Sequence, residues 1–474
     1  MRITQIEIKN FRAFYGTYQI DLHKSGKNLL VYGENGSGKS SLYLALKLFL
    51  ESSVRNHRFE DHQNIFIKSD DGYIKLHLRA DFGSKQDVYE WSPTVKETND
   101  PLIIDASKIK GFIDYKALLE THYLHRAHSA VNVFDLLIKN LLANTINPVT
   151  TRSFTDDWDD LERGPRPRRN ATRQIADLEK RIGDFNDGLA SKLEELKTKA
   201  SEILSKFAYD VTLDFDFRGL TYDPNSKTLG NQQIFLTVRF FDRNIPSHHG
   251  FLNEAKLTAI AVAIYFSSLL LQPDSDLKIL ALDDVLIGLD MSNRLPVIEI
   301  LNDYFSDYQI FFMTYDRTWY EIVKQRTAGK EWKYAEFYFS KTDEYEIPVY
   351  MEDRAYLEKS KEYFQANDYK ACVIYLRTAF ETVIRRFCEK KNLGVKYREN
   401  PKNLTSDDFW QPIKTGTKRD GTPFLEQTVI NEIELYRNII LNPLSHSRIV
   451  ATVKKEIDDA IKAVENLEAK LNAL

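Results

Sequence analysis

Residues 33–41 read Gly33-Glu34-Asn35-Gly36-Ser37-Gly38-Lys39-Ser40-Ser41 and match the pattern G-x-x-x-x-G-K-[ST] at every fixed position. The apolar segment 27–32 before this stretch is predicted to be a strand, and segment 42–50 after it is predicted to be a helix. Strand, glycine-rich loop and helix in this order are the setting in which the pattern holds phosphate. The stretch therefore predicts a nucleotide-binding loop in an α/β fold.

Each fixed position of this loop has a chemical role. Glycines let successive backbone N–H groups converge on phosphate oxygens, and the N-terminus of the following helix adds its dipole. Lys39 is expected to reach the terminal phosphates, and Ser40 is expected to offer its hydroxyl to a magnesium ion. The residues predicted to bind the cofactor here are Gly33, Asn35, Gly36, Ser37, Gly38, Lys39, Ser40 and Ser41.

Length and charge limit the class of protein. A chain of 474 residues favours a large nucleotide-binding domain together with a second domain, and 43% hydrophobic residues suffice for a substantial core. The formal net charge of −4 argues against a globally basic nucleic-acid-binding protein. A local basic cluster at 163–169, in a loop rich in Thr, Asp and Pro, fits either a solvated linker or a contact with nucleic acid or an acidic partner.

Cysteine usage and the N-terminal segment indicate a cytoplasmic protein. Cys372 and Cys388 lie in one predicted helix without metal-ligand spacing, so they are expected to be buried, reduced thiols. The first eleven residues alternate as a strand does and have no long apolar core, which excludes a signal peptide or membrane anchor. The longest apolar run, 257–271, is too short to span a bilayer and is predicted to be a buried helix.

Periodicity divides the chain into an α/β part and a helical part. A domain of residues 1–341 is expected to contain the nucleotide site, with a helical arm at about 171–206 that is only about 50 Å long. Residues 342–474 are expected to form a mostly helical domain for assembly or partner docking, interrupted by an exposed excursion at 391–424. Strands are predicted at 3–8, 18–22, 29–32, 73–80, 88–91, 211–217, 234–241, 277–284 and 309–316.

Two adjacent carboxylates end the predicted strand 277–284. Asp283 is expected to hold the magnesium ion together with Ser40, and Asp284 is expected to orient or deprotonate the attacking water. Arg12 follows the first strand, where it is expected either to lie against the nucleotide or to be an ordinary surface residue. A magnesium-dependent ATPase needs this combination of loop, strand and carboxylates.

These motifs resemble those of ABC-type ATPases of the SMC/RecF branch over roughly residues 1–340. Asn10-Phe11-Arg12, the loop 33–41, the strand ending at Asp283-Asp284 and the turn Gly288-Leu289-Asp290 match the family's opening, Walker A, Walker B and D-loop. The resemblance implies that Asp290 faces a partner subunit. It also implies that Asn253, in the position of the signature motif, donates a hydrogen bond to a γ-phosphate across a dimer interface.

Two departures from the family pattern predict slow turnover. The catalytic position usually carries Glu, but Asp284 is one methylene shorter, and the switch position usually carries His but here carries Tyr315. A misplacement of the attacking water by about 1 Å can cost on the order of a hundredfold in rate. The resemblance therefore implies ATP and Mg²⁺ as cofactors and a slow, switch-like ATPase, with Lys39, Asp284 and Tyr315 as its catalytic residues.

The lack of a long coiled coil and the phrases LDDVLIGLDMSNR and FFMTYDRTWYE resemble the compact ATPases of bacterial antiphage systems. The ATPase subunits of PARIS are the most similar, and those of Septu are the nearest alternative. The resemblance implies a cytoplasmic homo-oligomer that responds to a phage trigger and controls a separate nuclease or toxin. The alternative is a RecF-like DNA-repair ATPase that clamps duplex DNA.

The segment Tyr436–His446 resembles the Arg…His pairing of HEPN ribonucleases, with a longer spacing and an interrupting Pro443. A structural helical domain is the preferred interpretation of this part of the chain.

Overall fold

The computed structural model describes residues 1–67, 71–79, 86–96, 99–121, 131–245, 247–328, 331–341, 346–352, 356–395, 405–418, 420–441 and 454–474. The chain forms two compact units, Met1–Glu352 and Asp353–Leu474.

All strands found among the described residues belong to the first unit. They are β1 (Arg2–Lys9), β2 (Thr17–Asp21), β3 (Asn28–Gly33), β4 (Tyr73–Arg79), β5 (Gln86–Trp91), β6 (Phe112–Asp114), β7 (Val211–Phe217), β8 (Thr221–Asp223), β9 (Thr228–Gly230), β10 (Ile234–Phe240), β11 (Arg243–Ile245), β12 (Ile279–Asp283), β13 (Gln309–Thr314), β14 (Trp332–Lys341) and β15 (Glu346–Glu352).

The helices belong to both units, with α1 to α10 in the first and α11 to α15 in the second. They are α1 (Lys39–Glu51), α2 (Pro101–Lys108), α3 (Tyr115–Leu119), α4 (Phe134–Leu136), α5 (Phe154–Arg163), α6 (Thr172–Ser205), α7 (His248–Phe251), α8 (Glu254–Leu269), α9 (Met291–Tyr304), α10 (Arg317–Thr327), α11 (Tyr356–Gln365), α12 (Tyr369–Lys390), α13 (Ser406–Thr415), α14 (Gln427–Tyr436) and α15 (Lys454–Asn472).

A six-stranded sheet in the order β15-β14-β3-β13-β12-β6 lies at the centre of the first unit. Every neighbouring pair in it is parallel except β14 and β15, which are antiparallel. Because the carboxyl ends of parallel strands meet at one edge, β3, β12 and β13 deliver the ends of their sequences to the same place. Those ends carry the glycine loop, the Asp283-Asp284 pair and the Thr314–Asp316 segment.

Continuous apolar runs explain why the central strands are buried on both faces. In β3, Leu30 packs into one hydrophobic core, and its neighbours Leu29 and Val31 pack into another on the opposite face. Leu280 and Ala281 of β12 divide between the two cores in the same way. Alternation with a period of two therefore connects both cores to one sheet.

A four-stranded antiparallel sheet, β2-β1-β4-β5, packs beside the central one. The side chain of Gln309, at the start of β13, joins the two sheets: its Oε1 accepts from the backbone N–H of Ile3 at 2.8 Å, and its Nε2 donates to the Ile3 carbonyl at 2.8 Å. Gln309 is only 1% exposed. The first strand of the chain is thus fastened to a residue more than 300 positions later.

The predicted helical arm is present as α6, but it packs against the head. Its apolar stripe is buried against α8 and β7 from Leu178 to Leu204. A helix with a buried stripe along nearly its whole length is a layer of the domain. The predicted helix at about 171–206 is thus present, with its ends within one residue of the predicted ones, and it packs along the head over most of its length.

The second unit is helical and has its own core. Cys372 and Cys388 of α12 are buried and free, and burial raises the pKa of the Cys388 thiol to about 11. Residues 391–424 were expected to be an exposed excursion, but they contain α13, whose Trp410 and Ile413 are fully buried. Because most residues of this segment are polar, its composition did not indicate that Trp410 and Ile413 would be buried.

The boundary between the units also differs from the expectation. The sequence placed it after residue 341, whereas the first unit extends to Glu352 because β15 pairs with β14 along its whole length. The sequence also predicts a turn at 341–344; Lys341 is the last residue of β14, and residues 342–344 lie outside the described residues. Among the helices that are described, none has both the length and the apolar character that crossing a membrane would require.

Candidate functional site: the phosphate loop and its carboxylates

The glycine loop between β3 and α1 has a backbone that only glycine adopts readily. Gly36 has a φ of 86° and Gly38 a φ of 103°, both in the left-handed region. A side chain at Gly33 would collide with the Ser37 hydroxyl, whose oxygen is buried and has no partner among the described residues. The loop therefore keeps the open, backbone-lined form that cradles phosphate.

Lys39 lies at the first position of α1 and is 4% exposed. Its Nζ donates to the carbonyl oxygens of Gly33 at 2.7 Å and Glu34 at 3.2 Å. It also lies 3.7 Å from Oδ2 of Asp284. The ammonium group is thus held over the loop, between the backbone that would cradle the phosphates and the carboxylate at the end of β12.

Asp283 fits the place of a magnesium ligand. Its side chain is nearly buried, and Oδ1 has no hydrogen-bond partner among the described residues. Burial raises the pKa of Asp283 to about 6, while a hydrogen bond from Ser40 opposes that rise. A buried carboxylate oxygen without a partner, next to a serine hydroxyl, provides the oxygen ligands that Mg²⁺ takes beside phosphates.

Asp284 follows β12 in a strained conformation. Its φ is 52°, a left-handed value that is uncommon outside glycine. Its N–H donates to the Met313 carbonyl at 3.1 Å, and its Oδ1 accepts from the Tyr315 N–H at 2.9 Å. Burial raises the pKa of Asp284, and the Lys39 ammonium opposes this shift.

Tyr315 joins the site through its backbone. Its N–H binds Asp284, while its side chain is 39% exposed. The structure therefore places the backbone of Tyr315 at the predicted edge of the sheet, beside Asp284.

Arg12 lies beside the start of α1. Its carbonyl accepts from Asn64 Nδ2 at 2.7 Å, and the N–H of the next residue, Ala13, donates to the Ser41 hydroxyl at 3.4 Å. The guanidinium is exposed and lowers the pKa of nearby His62, although burial is the larger cause of that shift. Within the described residues the Arg12 side chain makes no hydrogen bond or ion pair, so both interpretations of it remain.

Asn253 and Asp290 lie at the starts of two helices, α8 and α9. Each caps a helix: Asn253 Oδ1 accepts from the Lys256 N–H at 3.1 Å, and Asp290 Oδ1 from the Asn293 N–H at 3.1 Å. The two helix starts lie close together. Gly288, two residues before Asp290, packs against Thr258 and Glu254 of α8, and a Cβ at Gly288 would lie 2.3 Å from the Thr258 hydroxyl oxygen. Neither residue bonds to the phosphate loop in the part of the chain that is described.

Two contacts at the site were missed from the sequence. Pro348 of β15 covers the loop, since a Cβ at Gly38 would lie 2.8 Å from the proline ring, and the Pro348 carbonyl accepts from the Tyr18 hydroxyl at 2.7 Å. Arg294 donates to the Leu289 carbonyl at 2.7 Å and pairs with Asp316 at 2.5 Å. Both are long-range contacts without a local sequence signal.

The HEPN-like segment is described only in part. The buried Arg437 pairs with Asp407 at 3.2 Å and with Glu434 at 3.5 Å. His446, its proposed partner, lies outside the described residues. The contacts of Arg437 are those of a residue that fixes neighbouring helices.

Fold and site together define the head of an ABC-type P-loop ATPase. Residues 2–330 match the model of the RecF/RecN/SMC N-terminal domain, and the chain belongs to this family. The site thus lies in an SMC/RecF-like ATPase head. A comparison with curated proteins gave no match.

Three solved head structures are similar at low identity. An Smc head bound to the C-winged helix domain of ScpA shares 13% identity at a TM-score of 0.41, covering 76% of this chain and 100% of the other. An Smc head with an extended coiled coil, bound to the C-terminal domain of ScpA and derived from Pyrococcus furiosus, shares 12% identity at a TM-score of 0.43. This match covers 77% of this chain and 99% of the other. The SMC head domain from Thermotoga maritima shares 14% identity at a TM-score of 0.34, and the match covers 74% of this chain and 99% of the other.

Proposed function

We propose that this protein binds ATP with magnesium at the loop 33–41, hydrolyses it slowly, and acts as the sensor subunit of an antiphage defence system. The observation that carries the ATPase proposal is the convergence of Lys39, Ser40, Asp283 and Asp284 at one edge of the central sheet. The ammonium group is already 3.7 Å from Asp284, and Ser40 lies near enough to Asp283 to oppose the rise of its pKa. No separate catalytic cluster is needed for phosphoryl transfer.

In this proposal each residue acts by binding, orienting or moving a proton. Lys39 and the loop N–H groups bind the β- and γ-phosphates, and Ser40 and Asp283 hold the metal. Magnesium would supply charge neutralisation at the phosphates. Asp284 orients the attacking water and accepts its proton, from a position fixed by the Tyr315 N–H.

Slow turnover follows from the contacts of Asp284. Its two carboxylate oxygens are engaged by Tyr315 and approached by Lys39, and its side chain is one methylene shorter than the usual glutamate. A carboxylate held back in this way reaches the water less well, and a deficit of about 1 Å costs on the order of a hundredfold. Such a head suits a switch that dwells in its ATP-bound state.

We further propose that two heads close on one another when ATP binds. Asn253 would donate to the γ-phosphate of the second head, and Asp290 would face that head. Both residues are exposed and lie at connected helix starts, which supports a shared interface. Closure and reopening would then be the signal passed to a separate nuclease or toxin, with a phage protein as its trigger.

The DNA-clamping alternative receives less support. Its main feature is the basic cluster at 163–169, but Arg166 donates to the carbonyl oxygens of Leu161 and Glu162, and Arg163 lies 3.4 Å from Asp159. Two of the four arginines in the cluster therefore already have hydrogen-bond or ion-pair partners within the chain. Salt-dependent DNA binding in the presence of ATP would revive this alternative.

Two experiments test the proposal. Lys39→Ala should abolish ATP binding in calorimetry and phosphate release in the presence of Mg²⁺, whereas Lys24→Ala, on an exposed turn, should leave both unchanged. In bacteria carrying the gene and its neighbouring reading frames, wild type but not Lys39→Ala should reduce phage plaque counts. Turnover by the purified Lys39→Ala chain would refute the ATP site, and protection by the same variant would refute the ATP-dependent defence role.

A further inference from the structure

Two arginine–carboxylate pairs hold the segment that follows β13. Asp316 pairs with Arg294, which also binds the Leu289 carbonyl in the turn after β12. Arg317, the first residue of α10, pairs with Glu336 of β14, with 2.8 Å between Nη1 and Oε2. In the central sheet β12 lies on one side of β13, and β3 and β14 lie on the other. The segment is therefore tied to both sides of its own strand.

The guanidinium of Arg317 also reaches the strand that leads into the phosphate loop. Its Cζ lies 4.9 Å from the centre of the Tyr32 ring, within the range of a cation–π contact. Tyr32 directly precedes Gly33, whose carbonyl accepts from Lys39 Nζ at 2.7 Å. In the parallel register of β3 and β14, Tyr32 also lies beside Glu336. One side chain thus links β3 and β14 to the segment after β13.

Glu336 is a fixed, ionised partner for this arginine. Its side chain is 15% exposed, and the Tyr338 hydroxyl donates to the same carboxylate oxygen, Oε2. Burial favours the neutral carboxyl, but the hydrogen bonds from Arg317 and Tyr338 outweigh it and lower the pKa of Glu336. The carboxylate is therefore charged at neutral pH and held in one orientation.

The helix itself does not explain an arginine at this position. A cation in the first turn faces the positive end of the helix dipole, which is unfavourable. The second partner of Arg317, Glu321 at 2.9 Å, lies one turn along the same helix, and exposed pairs of this kind add little stability. A planar guanidinium can lie over the Tyr32 ring and bond a carboxylate at the same time. The contacts with β3 and β14 are thus what Arg317 provides.

We propose that Arg317 is a positioning residue for ATP hydrolysis. By holding the start of α10 against β3 and β14, it fixes the Tyr315 N–H, and with it the Asp284 carboxylate, relative to the phosphate loop. Its effect on the reaction passes through Asp284, where a misplacement of about 1 Å costs on the order of a hundredfold in rate. The inference rests on the proposed role of Asp284 in orienting the attacking water.

Amide hydrogen exchange on the nucleotide-free full chain tests the positioning without involving ATP. In Arg317→Gln, overlapping peptides covering 309–320 should show at least about tenfold faster exchange of the Tyr315 amide, because the segment opens more often. Peptides covering β12 are the internal reference and should exchange as in wild type. Glu321→Gln, which removes only the pair within α10, is the matched control and should also exchange as in wild type.

Three results of this experiment would overturn the proposal. The first is an unchanged Tyr315 amide in Arg317→Gln. The second is equal acceleration of Tyr315 and β12, which would show a general loss of stability. The third is the same acceleration in Glu321→Gln, which would assign the effect to the helix.

Turnover connects the contact with catalysis. Arg317→Gln and Glu336→Gln should each lower kcat about tenfold, while ATP affinity in calorimetry changes less than about threefold. Because the two residues act as one pair, the double variant should be no slower than either single variant. A wild-type kcat in Arg317→Gln, or additive losses in the double variant, would overturn the role. A wild-type chain without turnover would refute the proposed function itself, an outcome that the exchange experiment separates from a failure of the contact.

A second variant keeps the test valid if the glutamine variants do not fold. Arg317→Lys keeps the charge at an exposed position, but an ammonium group cannot lie flat over Tyr32 while it pairs with Glu336. Its kcat should fall about threefold, with ATP affinity within about twofold. A wild-type kcat in Arg317→Lys would exclude the need for a guanidinium.

Discussion

Asp284 and Tyr315 are joined by a hydrogen bond of 2.9 Å from the Tyr315 N–H to Oδ1 of Asp284, which couples the ends of two neighbouring parallel strands. Asp284 reaches this partner in a left-handed conformation with a φ of 52°. Such strain persists only where the surroundings enforce it, and it is common at functional sites. The bond orients the carboxylate that we assign to water activation.

Asp284→Asn separates binding from hydrolysis. Asparagine tolerates the left-handed backbone and still offers an oxygen to Tyr315, so the fold should be kept. Without a carboxylate to accept a proton, phosphate release should fall about a hundredfold while ATP affinity changes less than about threefold. Bound nucleotide and turnover are to be measured on one preparation, and hydrolysis near the wild-type rate would show that another group positions the water.

The titration of Asp283 predicts opposite pH trends for stability and metal binding. Its pKa is about 6 in the folded protein and 3.8 ordinarily, so between these values the folded state binds more protons than the unfolded state. The contribution of this carboxyl to the free energy of unfolding therefore falls as pH rises through 6, by about 3 kcal/mol at most. Mg²⁺-dependent ATP binding should instead strengthen over the same range, because the metal needs the ionised form.

The stability half of this prediction is measured on the nucleotide-free protein. Asp283→Asn removes the titration, so its stability relative to wild type should increase between about pH 5 and about pH 7.5 in urea unfolding. A constant difference between the two proteins across this range would contradict the raised pKa.

Mixed oligomers test whether two heads share a site. Asn253→Asp keeps the oxygen that caps α8 but replaces the amide donor by a charge that repels the γ-phosphate. Neither this variant nor Lys39→Ala should hydrolyse ATP alone, but a mixture should regain up to about half of the wild-type sites, since one composite site is then intact. Asn253→Ser, which keeps a cap and a donor, is the control. If folded, assembled mixtures stay inactive, each head works by itself.

Arg294 is predicted to position the turn that contains Asp290. Its bonds to the Leu289 carbonyl and to Asp316 are of the kind that lysine cannot reproduce together. Arg294→Lys should lower stability by about 1–3 kcal/mol and turnover about tenfold, with ATP binding within about twofold. Arg152→Lys, in an exposed ion pair with Asp160, should change stability by less than about 0.5 kcal/mol. Equal effects of the two substitutions in thermal unfolding would exclude this role for Arg294.

The centre of the fold was predictable because its signals are local. The apolar runs of β3, β12 and β13 mark buried parallel strands, and the observed ends lie within two residues of the predicted ones. The glycine loop was predictable for the same reason, since its pattern encodes both the turn and the chemistry. Each of these features depends on neighbours in the sequence.

Features that depend on distant contacts were not predictable. Proline in a short segment argues against a strand, yet Pro348 is tolerated because β15 is an edge strand. The stripe of α6 showed that the helix is amphipathic, but not which surface would cover it. Nor does any local pattern indicate that the Asp284 oxygen meets a backbone N–H across the sheet.

The contacts of Ile3 with Gln309, and of Tyr18 with Pro348, place the completion of the head late in protein synthesis. The strands made first have no finished partner surface until some 350 residues have left the ribosome, which takes on the order of half a minute at about 10 residues per second. During that interval the apolar side chains of β1 and β2 lack part of the core that buries them in the finished head, and chaperones cover such apolar surfaces. Production of this head in cells should therefore depend more on chaperone supply and elongation rate than its final stability would indicate.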